Sequence, residues 1–433
     1  MKDLIKSVGP AIIVAAVVLG PGSILTSSKV GASFGLIGLP VIVAAAILMI
    51  AMVALAARLG VVYENSVCQE LTRRLGKPAT IFIGATLFVL VAFFQSSNNL
   101  ALIGGLEPML LGDSGEEFGF PIRALVLVLT NAFVIACLYL LRNLYTFIEK
   151  GMKILIGLMS LAFLVNVVVV FIKPRGFEPV PSTSSPELLP LLAMIGTTFS
   201  VGGAFYQAYL VREKGWTVAD AHKGMIDSMV SISVLAVVTI IILLTSWRVF
   251  HGHPNPVDFK SVGDVAIQLE PAFGSVGRIV FCLGILAGAL SSFLVNAMIG
   301  GTVMSDAIGK GARIEDRWPV HMTVAALATG GLVAIASLAK EGSTVHLITL
   351  AQALTVLGIP ALAAALIYLG TRPELEGDRK VPKTILVLAI IGFCVSCVLA
   401  ALTAQKVYNK LNPPQPKESR IPPSSPDEDF FRA

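Results

Sequence analysis

Gly20-Pro21-Gly22-Ser23 interrupts the first apolar run of this chain, and Ser200-Val201-Gly202-Gly203 interrupts the sixth. Proline removes a backbone donor and clashes with the preceding turn, while glycine loosens the backbone where a helix needs constraint. In lipid, the amides and carbonyls released by such a break meet no water, so it persists only where protein or a wet cavity receives them. Breaks at corresponding places in two halves of a chain point to a solute site near mid-membrane. There the half-helix ends present both dipole poles to a cargo. Gly20, Gly22, Ser23, Ser200 and Gly202 are therefore candidate substrate-binding residues.

Composition agrees with this reading. Hydrophobic residues make up 55% of the 433 residues and charged ones 14%, with a mean hydropathy of +0.83, values that exclude an ordinary soluble enzyme. A spanning helix needs about 20 apolar residues. Eleven candidate spans satisfy this, at 9–33, 38–63, 79–105, 122–141, 147–173, 188–211, 224–246, 276–305, 321–339, 343–369 and 383–404. The chain reads as an all-α integral membrane protein with one transmembrane domain over 1–405 and a Pro-, Ser- and charge-rich tail over 406–433 expected to be disordered. Short loops leave no room for a catalytic module. No Ser-His-Asp set, Walker sequence or soluble GxGxxG unit is present, so neither an enzyme, a cofactor nor ATP-driven transport is expected.

Lysine and arginine placement orients the helices. With a cytoplasmic N-terminus, Lys2, Lys6, Arg73, Arg74, Arg142, Arg212, Lys214, Lys310, Arg313 and Arg372 fall inside, while few basic residues, among them Lys173, Arg248 and Lys260, fall outside. This places the protein in the plasma (inner) membrane with its C-terminus outside and Asp113, Glu116 and Glu117 on an outer loop. The net charge of +5 needs no nucleic-acid partner. The expected partners are a small transported solute and the lipid bilayer, with a monomer as the favoured state. Cys394 and Cys397 form a C-x-x-C inside an apolar helix, where packing is expected rather than redox or metal chemistry. His251 and His253 read as a solvated loop, and Asp227 and Asp306 as helix-end caps or loop pairs. Asn98, Asn99, Asn131, Asn166 and Asn296 read as interhelical hydrogen bonds, with a cavity lining equally open for Asn98 and Asn99.

Beyond the two breaks, several motifs recur along the chain: Gly9-Pro10-Ala11, Gly31-Ala32-Ser33-Phe34-Gly35, Ile195-Gly196-Thr197-Thr198, Gln207-Ala208-Tyr209-Leu210-Val211, Ser291-Ser292, and Leu350-Ala351-Gln352-Ala353-Leu354 before Ile359-Pro360. Together they make the chain resemble the Nramp family of divalent-metal transporters, with Gly-Pro-Gly-Ser where that family writes Asp-Pro-Gly-Asn. The resemblance implies the LeuT-type inverted repeat, with helices one and six broken, and alternating access. It adds Thr197 and Gln352 to the candidate substrate-binding set. Gly20 and Ser23 stand where family members place an aspartate and an asparagine, and Thr197 and Ser200 where they use an alanine carbonyl and a methionine sulfur. Gln352 matches a family glutamine.

No formal negative charge remains at those positions, so metal ligation by Ser23, Thr197 and Gln352 is expected to be weak. A bare dication is costly to dehydrate without carboxylates or soft ligands. Gln95 to Ala101 replaces an acidic stretch of the family, and Gln207 a histidine; amides do not titrate, so proton coupling is not expected. Ser97, Asn98, Gln207 and Lys29 are candidate pathway or gating residues. Lys29 lies six residues beyond Ser23, about 9 Å further outward, where it either snorkels to headgroups or acts as an electrostatic filter. The leading expectation is a transporter of a partly hydrated, magnesium-like divalent cation. A small anion or amino acid on the same fold is the alternative, followed by a transport-dead sensor or scaffold.

Overall fold

The computed structural model describes residues 11, 14–15, 19–111, 117–140, 142–180, 187–313, 316–339 and 344–411. The tail beyond 411 and the acids Asp113 and Glu116 lie outside the described residues. Within the described residues the chain is helical, without strands. In chain order the helices are α1 (Pro21–Phe34), α2 (Gly38–Val62), α3 (Val67–Leu75), α4 (Lys77–Leu111), α5 (Phe120–Leu140), α6 (Arg142–Ile172), α7 (Leu189–Thr198) and α8 (Val201–Glu213). They continue as α9 (Ala221–Phe250), α10 (Val262–Ala266), α11 (Glu270–Phe273), α12 (Val276–Ala307), α13 (Arg317–Leu338), α14 (Thr344–Leu354), α15 (Ile359–Gly370) and α16 (Lys383–Leu411).

Nine segments of the described residues are long and apolar enough to cross a membrane. One of them, Pro21–Val62, has 42 residues, twice the length a crossing needs. It turns back at the 3-10 segment Gly35–Ile37, where Gly35 has φ 60° and a Cβ would lie 2.8 Å from the His251 ring. That left-handed, crowded position suits glycine alone. Helix α6, helical over 31 residues, adds the shorter apolar stretch Ile156–Ile172.

Two bodies emerge from the packing. Helices α1, α2, α8 and α9 pack chiefly on one another, and α4, α12, α13 and α6 form a second group. Crossings are made close by residues without side chains: a Cβ at Gly60 would lie 2.4 Å from the Ala208 carbonyl, and one at Gly301 would lie 2.4 Å from Thr323. Such small-residue contacts replace the missing hydrophobic drive between helices in lipid.

Polar anchors sit at both ends of the bundle. On the near face, where α2 ends, Ser66 and Gln69 form a capping box for α3, and Arg212 at the end of α8 donates to the carbonyls of Tyr63 at 2.8 Å and Asn65 at 2.7 Å. The Tyr63 hydroxyl donates to the Leu369 carbonyl at 2.9 Å; burial pushes its pKa up to about 12, so it stays a donor at neutral pH. On the opposite, far face, Arg123 of α5 grips Glu107 of α4 through two hydrogen bonds of 2.7 and 3.0 Å. There the Gln268 amide donates to Ser28 Oγ at 2.9 Å and the Asn166 amide to the Gln268 carbonyl at 2.6 Å, tying the α10–α11 loop to α1 and α6.

Candidate functional site

Both expected breaks are present, each displaced slightly from its sequence reading. Just before the first break, the Leu19 amide bonds the Ala15 carbonyl at 3.0 Å. Gly20 is then extended at φ −80°, ψ 178°, and α1 restarts at Pro21. Proline at the first helical position lacks only a donor that would be orphaned there anyway, so Gly22 and Ser23 lie in the first turn of the new helix rather than in the break. At the second break, Phe199 (ψ 59°) and Ser200 (ψ 81°) are non-helical and α8 begins at Val201. Gly202 and Gly203 are therefore helical. Gly202 lets Leu87 approach closely, since a Cβ there would lie 2.8 Å from Leu87 Cδ1. A third irregularity was not anticipated: the span 343–369 changes to a 3-10 turn over Thr355–Gly358 between α14 and α15, just before Pro360.

Gln352 of α14 joins these elements. Its side chain lies where a Cβ of Gly22 would stand, with Nε2 2.2 Å from that position, and Nε2 donates to Ser97 Oγ of α4 at 2.7 Å. Its backbone carbonyl lies 3.1 Å from a Cβ built on Gly196 and accepts from Thr355 Oγ1 at 2.6 Å. Among the described residues, the fully buried Oε1 of Gln352 has no partner. The structure thus brings Gly22, Ser97, the Gly196–Thr197 turn and Gln352 together, with Ser23, Thr197 and Gln352 all buried. The Thr197 hydroxyl donates to the Met194 carbonyl at 2.9 Å. Ser200 and Gly202 instead line a cavity of about 20 Å³ with Leu87, Phe94 and Asn296, room for about one water.

The amides of α4 form a ladder. Asn98 donates to Gln95 Oε1 at 3.1 Å, Asn99 to the Gln95 carbonyl at 2.8 Å, and Asn131 of α5 to Asn99 Oδ1 at 2.6 Å, while Gln95 reaches the Phe293 carbonyl of α12. Asn99 thus bonds from helix to helix, whereas the Asn98 bond stays within α4. Gln207 is fully buried, and among the described residues neither of its amide atoms has a partner. It lies seven residues after Ser200, two turns along the same face of α8. Lys29 is half-buried on α1. No group of three or more His, Cys, Asp or Glu among the described residues could hold a metal ion. His251 Nδ1 lies 2.9 Å from the Ala32 carbonyl and His253 Nδ1 2.8 Å from that of Asn255, so the two serve separate turns.

One reading needs correction and another gains a partner. Cys394 and Cys397 are exposed on α16; they face outward from the bundle rather than packing in it. Asp227 is a cap, its carboxylate accepting from the Ala11 amide at 2.8 Å, and Asp306, in the last turn of α12, sits against the start of α3 at Ser66 and Cys68. It is buried at 2% exposure and accepts from the Tyr209 hydroxyl at 2.7 Å across the α8–α12 contact. A signal was available, because an acid in the last turn of a helix opposes the helix dipole and requires a dedicated donor.

Comparison with known proteins follows the same lines. The family described as Nramp, natural resistance-associated macrophage protein-like, matches residues 11–405. A divalent metal cation transporter MntH of Verminephrobacter eiseniae is 22% identical over 420 residues, spanning 94% of this chain and 90% of its own. The MntH of Latilactobacillus sakei is 26% identical over 325 residues, 70% of this chain and 68% of its own. A crystal structure of the Eremococcus coleocola manganese transporter, in complex with an aromatic bis-isothiourea compound, superposes with a TM-score of 0.72 at 18% identity, covering 96% of this chain and 89% of that one. With a family match over almost its whole transmembrane region and that fold, the chain belongs to the Nramp family.

Proposed function

We propose that this chain is an alternating-access membrane transporter that carries a small, hard divalent cation of magnesium-like chemistry with much of its water shell, and does not couple that movement to protons. The observation that carries the reading is the buried, unpartnered Oε1 of Gln352 beside the first break, in a site with no carboxylate among the candidate residues. A hydrated dication presents water protons, so it needs acceptors rather than direct charged ligands, and magnesium keeps its waters readily. Hydroxyls of Ser23, Ser97 and Thr197 and the Gln352 carbonyl are acceptors of that kind. Loss of a thioether at Ser200 removes the soft ligand that would favour manganese or iron. The relatives named as divalent-metal and manganese transporters support a metal cargo; the neutral site argues for one that is not tightly chelated. In this reading the near face is cytoplasmic.

A second reading rests on the start of α1. Gly22 and Ser23 stand in its first turn after Pro21, where free amides favour an anion or a carboxylate. Purified protein in liposomes, offered magnesium, calcium, manganese, a panel of small anions and amino acids, separates the two. Saturable magnesium uptake with little preference for manganese supports the proposal. Uptake confined to anions or amino acids overturns it in favour of the second reading.

A further inference from the structure

We propose that Lys29 is a specificity-determining residue of the far-face route, an ammonium that sorts solutes by the sign of their charge before they reach the first break. The inference rests on the reading of the breaks as the cargo site. Positions 22, 26, 29 and 33 are spaced by four, three and four residues, which places them on one face of α1. Gly22 abuts Gln352. Thr26 is buried and donates to the Gly22 carbonyl at 2.8 Å. Lys29 is half-buried and Ser33 is exposed. One stripe of small polar residues thus runs from the buried site to the exposed end of the helix, with one charge on it, about 10 Å from Gly22.

The other side of α1 is the packing side. Ser28 engages Gln268 and, through its carbonyl, accepts from Ser246 Oγ at 2.6 Å, and a Cβ on Gly31 would strike the Leu243 carbonyl at 2.4 Å. Lys29 is turned away from those contacts. A snorkelling lysine extends along an apolar surface, whereas this one shares its face with glycine, threonine and serine. Among the described residues it makes no hydrogen bond or ion pair. The acids whose charge acts on it are Glu187 and Asp258, and Asp258 is already shared with Lys260 at 3.6 Å. Arg123 and Arg74, by contrast, hold their carboxylates in direct contact. The Lys29 charge is left to act on what passes.

The test has two arms. In the first, Ser33→Cys is introduced with Cys394 and Cys397 replaced by alanine, and its modification rates by cationic and anionic methanethiosulfonates of similar size are compared. The anionic reagent reacts faster; Lys29→Gln lowers the anionic-to-cationic ratio about fivefold at low salt, Lys29→Arg keeps it, and high salt erases it. In the second arm, Lys29→Gln raises magnesium flux into liposomes several-fold at low salt, and Lys29→Arg does not. An unchanged reagent ratio and unchanged flux in Lys29→Gln overturn the filter, whatever the cargo. If Lys29→Gln changes the reagent ratio and slows an anion flux while no dication moves, the filter stands and the cation reading fails.

Discussion

Gly22 lacks a side chain because Gln352 occupies the space one would need. The group in the way is the far end of a flexible side chain, so Gly22→Ala displaces the Gln352 amide from Ser97 rather than distorting the helices. Transport is expected to fall tenfold or more, while stability falls by only about 1 kcal/mol; flux assays and thermal unfolding on the same preparation check both. Adding Gln352→Ser to Gly22→Ala restores the stability and leaves transport impaired. The site is also expected to be one exchange of ligands away from tight metal binding. Gly20→Asp, Ser23→Asn and Ser200→Met together supply a charge, an amide oxygen and a soft sulfur. Calorimetry is expected to show manganese binding in that variant and little or none in the parent. Silence in a folded variant would mean that the two breaks do not surround one point.

At this scale the sequence was legible where chemistry is local. The break residues were readable because glycine and proline in lipid demand partners, whereas Gln352 and Ser97 were reached through the family resemblance. Which partners they take was not readable. Nothing in the spacing of Gln352 and Gly22, so far apart in the chain, shows that one side chain fills the other's place. Nothing in Asn98 and Asn99 separated a cavity lining from a ladder reaching Asn131.

Among the elements, α8 carries the largest consequence. It packs extensively on α2 and sparsely on α12, and the Tyr209–Asp306 hydrogen bond of 2.7 Å crosses that sparse contact. Tyr209→Phe removes the donor that reaches this buried carboxylate from α8, leaving only the start of α3, at Ser66 and Cys68, to partner it. The expected cost is about 1–3 kcal/mol, read as a lower denaturation midpoint, and Asp306→Asn together with Tyr209→Phe recovers part of it. A Tyr209→Phe variant as stable as the parent would show that the bond contributes nothing net. Element boundaries shifted from the sequence reading for physical reasons. Pro21 is accepted at the first position of α1, and Gly202 and Gly203 are as acceptable inside a helix that needs close approach as they are at a break. A glycine pair alone does not say which of these it serves.

For the whole molecule, the helices beside the breaks are joined through amides and hydroxyls. The crossing from α4 to α12 and α5 runs through Gln95, Asn98, Asn99 and Asn131, none of which changes protonation in the working pH range. Asp227 is engaged as a cap and Asp306 by Tyr209. Under the proposed function, a cargo moves between the faces without a proton moving with it. The most direct test loads liposomes with a pH-sensitive dye, imposes a magnesium gradient, and follows metal uptake and internal pH together. The account predicts saturable uptake, an unresponsive dye, and a rate that is the same at mildly acid and neutral external pH. Cargo-dependent acidification of the interior, lost on Asp306→Asn or Asp227→Asn, would contradict it.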